Sequence, residues 1–166
     1  MRTVVPLFVA IVFLFLQMVA ANRLAIGDIV PDFPLLFVVY LGLFRGSFQS
    51  TIAGFLVGVL QDLYNPALLG LNALLKSIVG FIAGHIGSKT ELDSIPFLAL
   101  IFLLSNIGHD LCYLLIYLKF DIVRIVILFF TVSLPSAVYT TFIGIIIHAL
   151  CSLAGLKVVK TFGKAK

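Results

Sequence analysis

From Ile125 to Ser152 the chain runs 28 residues without a formal charge, and an earlier run, Val4 to Ala21, extends for 18. As helices these would be about 42 Å and about 27 Å long, the first longer than the roughly 30 Å thickness of a hydrocarbon core and the second enough to cross most of it. Composition points the same way. Of the 166 residues 62% are hydrophobic and only 11% charged, and the mean hydropathy is +1.24. A globular domain is typically about 45–50% apolar and about 25% charged, so this chain has too little polar surface for water. With 16 Phe, 2 Cys, 11 basic and 7 acidic residues it is neither a disordered chain, a disulfide scaffold nor a nucleic-acid-binding module. The sequence predicts an all-α integral membrane protein, with Cys112 and Cys151 acting as small hydrophobes inside apolar stretches.

Six spans are expected, at about 4–21, 33–44, 47–61, 71–87, 95–118 and 125–152. A cleaved signal peptide is the rival reading of the first, since Arg2 precedes it and Val19, Ala20 and Ala21 resemble a cleavage site. Pro31 and Pro34 mark the start of the second. Between Phe33 and Gln61 the only formal charge is Arg45, beside Gly42 and Gly46. One helix over that stretch would be about 43 Å long with an arginine near its middle, so two short spans joined by a turn at Arg45 fit better. If Arg45 is not a turn, the count falls to five. Pro135 predicts a kink in the last span.

Lysine and arginine positions set the orientation. With the N-terminus inside, Arg2, Arg45, Lys89 and the tail residues Lys157, Lys160, Lys164 and Lys166 are cytoplasmic, against Arg23, Lys119 and Arg124 outside. Residues 157–166 read as a basic cytoplasmic tail held near anionic headgroups.

Three glycine pairs, Gly42 with Gly46, Gly54 with Gly58 and Gly80 with Gly84, occur at small-xxx-small spacing. In lipid such glycines allow close backbone approach. They serve packing within the chain or docking of a partner's helix, and spacing does not separate the two. In the fifth span Asn106, His109 and Asp110 share one face, and Lys76 in the fourth lies within about 5 Å of the depth of Asp110. Ionisable groups there cost about 2.5–3.5 kcal/mol on insertion scales and face the protein interior. The expectation is a buried polar cluster held by a Lys76–Asp110 ion pair, or a three-way cluster with His109 or Asp62. It reads as a structural clasp or as a ligand or proton site. His85, His109 and His148 lie on different spans, so no metal centre or cofactor is expected. No nucleophile, P-loop or dinucleotide motif is present, so catalysis is not expected either.

The segment from Gly54 to Gly84, GFLVGVLQDLYNPALLGLNALLKSIVGFIAG, together with the upstream PDFPLLFVVYLGLFRG, resembles the bacterial rod shape-determining protein MreD family. The matching features are Gln61 and Asp62, Pro66, the Leu69, Gly70, Leu71, Asn72 run, and Pro31, Asp32, Tyr40, Arg45 and Gly46. The resemblance implies a non-enzymatic inner-membrane component of the elongation machinery, supporting lateral peptidoglycan synthesis and binding MreC. MreB, RodA and the elongation-specific class B penicillin-binding protein are implied as further partners. It also implies a six-helix bundle similar to the substrate-binding subunits of energy-coupling-factor transporters. A vitamin-binding subunit of that kind is the alternative function, although the Ala-xxx-Ala surface of those subunits is missing from the first span. Candidate partner-interface residues are Gly54, Gly58, Gln61, Asp62, Asn65, Pro66 and Asn72.

Overall fold

The computed structural model describes residues 25, 27, 29–63, 68–89 and 94–153. The expected first span at 4–21, the basic tail, Asn65 and Pro66 lie outside the described residues, as does the side chain of Cys151. The described residues are helical, without strands, and form five rods. They are α1 (Phe33–Arg45), α2 (Ser47–Asp62), α3 (Leu71–Lys89), α4 (Ile95–Tyr117), and a last rod made of α5 (Ile122–Leu128), a π-helical turn (Phe129–Ser133) and α6 (Leu134–Leu153). By length and composition three rods could cross a membrane: Leu71–Lys89, Ile95–Tyr117 and Ile122–Leu150. The five rods lie at the last five of the six expected spans, and the described residues do not support a count of six.

Local chemistry explains where the rods start and stop. Asp32 caps α1, its carboxylate accepting the Leu35 N–H at 2.8 Å, with a proline in the first turn. Gly46, at φ +94°, ends α1 and begins α2 in a single residue. A side chain is disfavoured in that left-handed region, so the sharp reversal expected at Arg45 falls on the glycine next to it. In the last rod, Pro135 has no N–H to donate and its ring would collide with the carbonyl four residues back. The chain responds with a π turn rather than a simple kink, the Leu134 N–H bonding the Phe129 carbonyl.

Two register relations fix the arrangement. Asp32 meets Thr140, Leu36 meets Gly144 and Tyr40 meets His148. The constant offset along both helices makes α1 and α6 parallel. A Cβ on Gly54 would strike Lys76, one on Gly58 would strike Ala73, and one on Gly84 would strike Ser47, so α2 and α3 run antiparallel with their backbones in contact. Gly42 in turn sits against Ala83 and Gly84, bringing α1 onto the same face of α3. Gly42, Gly54, Gly58, Gly80 and Gly84 therefore pack this chain against itself, whereas Gly46, with open space at its Cβ position, serves the turn. α1 is apolar all round and almost wholly buried, as expected of a central helix.

α2 is amphipathic in the reverse sense to a soluble helix. Ser50, Gly54, Gly58 and Asp62 point inward, whereas Phe48, Ile52, Phe55, Leu56 and Leu60 are exposed. Small and polar groups inside with large apolar groups outside is the pattern of a helix solvated by lipid.

Candidate functional site

Polar side chains gather where α1 begins, α3 begins and α4 approaches its end. Lys76, one turn into α3, is completely buried, and its Nζ donates to Asp32 Oδ2 at 2.6 Å. On its other side Nζ lies 3.4 Å from His109 Nε2, and His109 Nδ1 lies 3.0 Å from Asp110 Oδ1. An ammonium has only protons to give, so Nε2 is the acceptor and the Nδ1–H donates to Asp110. The Asp32 backbone N–H donates to Thr140 Oγ1 at 3.1 Å, and Ser136 Oγ donates to the Val30 carbonyl. One hydrogen-bonded chain, Asp110–His109–Lys76–Asp32–Thr140, thus ties α4, α3, the cap of α1 and α6 together.

This corrects the expected ion pair. The partner of Lys76 is Asp32, and Asp110 reaches Lys76 only through the imidazole. The parallel register of α1 on α3 brings the cap of α1 to the depth of Lys76. The sequence marks Asp32 as a carboxylate at a helix mouth, just before an apolar run, but does not mark it as the partner of Lys76. Asn106 does not join the chain either: its Nδ2 donates back to the Phe102 carbonyl at 2.8 Å.

Asp62 does not meet Lys76. It is 1% exposed and caps α3 from the end of α2. Its Oδ2 accepts the N–H groups of Gly70 at 2.9 Å and Ala73 at 3.1 Å, and Oδ1 accepts the Asn72 N–H at 3.2 Å and Asn72 Nδ2 at 2.9 Å. The first-turn N–H groups of a helix have no partner within it, and an anion held against them is stabilised by the helix dipole as well. Gln61, beside it, has a buried Oε1 with no hydrogen bond among the described residues. Gly54 and Gly58 are buried under α3, so their faces are filled by the chain's own helix. The interface candidates are thereby divided, with Gln61, Asp62 and Asn72 at the end of the α2–α3 pair and the glycines within it.

Two polar contacts carried no mark in the sequence reading. Tyr40 Oη lies 2.6 Å from His148 Nδ1, fastening α1 to α6 two turns from Asp32. Ser50 Oγ donates across to the Gly80 carbonyl at 2.7 Å, a bond possible only because Gly80 lets α2 approach. Among the described residues no group of three His, Cys, Asp or Glu side chains could hold a metal ion. Cys112 is a free, exposed thiol.

Fold and site together define a multi-pass helical membrane protein whose buried polar groups join helices to one another. A family model described as rod shape-determining protein MreD matches residues 1–154. The chain belongs to the MreD family, which is a family of shape-determining membrane proteins. No curated protein and no solved structure matches it, and the expected similarity to energy-coupling-factor substrate-binding subunits is left without support.

Proposed function

We propose that this protein is a non-enzymatic inner-membrane scaffold of the rod-shape complex that binds MreC and supports lateral peptidoglycan synthesis. The observation that carries the reading is the family match across nearly the whole chain. It agrees with a site whose buried hydrogen bonds and ion pair chiefly join one helix to another. MreB, RodA and the elongation-specific class B penicillin-binding protein are the further members of the complex in this reading.

In the same reading 4–21 supplies a sixth span, both termini are cytoplasmic, and the mouth formed by Asp32, Asp62 and Asn72 faces outward. The distribution of lysine and arginine supports that orientation, with Arg45 and Lys89 at the inner end. Gln61 and Asn72 then stand at the extracytoplasmic end, where a partner can reach them, with Asp62 buried behind them as the cap of α3; Asn65 and Pro66, the other candidates of this rim, lie outside the described residues.

The test is affinity capture of the full chain from its native membrane in mild detergent, with mass spectrometry of everything retained. Recovery of MreC with cell-wall elongation enzymes is expected. Recovery of ATPase and coupling subunits of a transporter, without MreC, would overturn the scaffold reading.

A further inference from the structure

The charged chain through Lys76 does not balance. Lys76 carries one positive charge, and His109, accepting at Nε2 while donating at Nδ1, is neutral. Asp32 and Asp110 bring two carboxylates. Asp32 takes the ammonium directly at 2.6 Å, which leaves the charge of Asp110 without a cation.

Asp110 is more accessible than Lys76 and His109. Its side chain keeps 27% of its accessible surface, close to the 22% of Asp32, against 0% for Lys76 and 5% for His109. Only Oδ1 is bonded, to His109, and among the described residues no hydrogen bond reaches Oδ2. The residue stands seven positions before Tyr117, about 10 Å from that end of α4, well inside an apolar helix. It lies on the flank shared by Leu103 and Ile107, both partly accessible. A carboxylate held at that depth in an apolar helix is costly unless a donor reaches it.

We propose that Asp110 anchors a transmembrane helix of the partner through a basic side chain at the same depth, with Leu103 and Ile107 lining the contact. The proposal rests on the scaffold reading above and identifies which helix meets the partner. Charge complementarity selects this occupant. A second copy of this chain meeting it across a two-fold axis would set carboxylate against carboxylate. A lipid amine would have to leave its headgroup layer to reach the site.

The experiment co-expresses the full chain with MreC from the same organism and measures MreC retained by wild type, Asp110→Asn and Asp110→Glu. Truncating one member of a desolvated charge pair lowers affinity strongly, so Asp110→Asn is expected to retain at least about tenfold less MreC and Asp110→Glu to stay within about twofold. A photo-crosslinking residue at Ile107, with Asp110 intact, is expected to link to the membrane helix of MreC. That crosslink decides the matter even if Asp110→Asn fails to fold. Equal retention by a folded Asp110→Asn, no crosslink from position 107, or a captured membrane helix lacking lysine and arginine overturns the proposal while the scaffold reading stands. Failure of the wild type to retain MreC overturns the scaffold reading, and this proposal with it.

Discussion

Replacing Lys76 with methionine, Asp32 with asparagine, and both together tests the central contact of the bundle. At 2.6 Å and an effective dielectric constant near 20, the pair interacts by about 6 kcal/mol before desolvation is charged against it. Removing one member strands the other, fully buried for Lys76 and 22% accessible for Asp32, and each single variant is expected to lose about 3–5 kcal/mol, the loss of Lys76 costing the less of the two. The double variant leaves neither charge unpaired, so its loss should fall short of the sum by about 3 kcal/mol. Asp110 provides the internal control. With the imidazole interposed it stands roughly 8 Å from the ammonium, where the same arithmetic gives about 2 kcal/mol, so the Lys76/Asp110 cycle should show about a third of the coupling. The assay is reversible unfolding of the purified full chain by SDS titration in mixed micelles at neutral pH. Additive losses in the Lys76/Asp32 cycle, or a larger coupling to Asp110 than to Asp32, would refute the assignment of Asp32 as the counter-ion.

Three further outcomes follow from the same contacts. Asparagine at position 62 keeps one acceptor oxygen where the carboxylate serves four donors, and Asp62→Asn should lose about 1–3 kcal/mol, with faster hydrogen exchange at Gly70 to Ala73 as the local readout. Gly54→Leu or Gly58→Leu must force α2 off α3, at a cost of at least about 1–3 kcal/mol; quantitative blotting of membranes should show less protein, with MreC recovery falling in step, and a stable, abundant variant would show that the backbones do not meet there. Tyr40→Phe removes the hydroxyl that meets His148 and should cost only about 0.6–1.7 kcal/mol in the SDS assay, in line with membrane-buried hydrogen bonds generally.

Much of the helix framework was legible because its punctuation is chemical. Pro34 near a start, Gly46 at a reversal, and Asp62 and Gly70 on either side of a connector each mark a backbone constraint that sequence carries directly. The partner of Lys76 was not legible for a different reason. Depth along a helix can be counted in residues, and counting brought Lys76 and Asp110 together, but direction around a neighbour depends on which helices are parallel and in what register. The offset that pairs 32 with 140, 36 with 144 and 40 with 148 exists only after folding. Glycine spacing has the same limit. It announces that a backbone comes close, and only the structure shows that the backbone approaching Gly54 and Gly58 belongs to α3 of the same chain. At Pro135 the need for a break was readable, whereas its resolution as a π turn was not.

The inverted amphipathicity of α2 bears on how such a protein can choose a partner. In lipid, burying Phe48, Ile52, Phe55 or Leu60 against another helix exchanges one apolar neighbour for another, so these exposed faces provide little drive and less discrimination. Specificity must come from close backbone approach or from polar contact. The described glycine pairs used for close approach are already occupied, Gly54 and Gly58 by α3 and Gly84 by the start of α2. Most of the polar groups are occupied as well, Asp62 by the first turn of α3 and Lys76 by Asp32. Among the described residues, two polar groups not filled in this way are the Oε1 of Gln61, buried near the end of α2, and the partly accessible carboxylate of Asp110 in α4, where Gly108 nearby leaves open space for close approach. Of the two, the carboxylate discriminates more strongly, because a charge left unpaired at that depth penalises every helix that arrives without a donor.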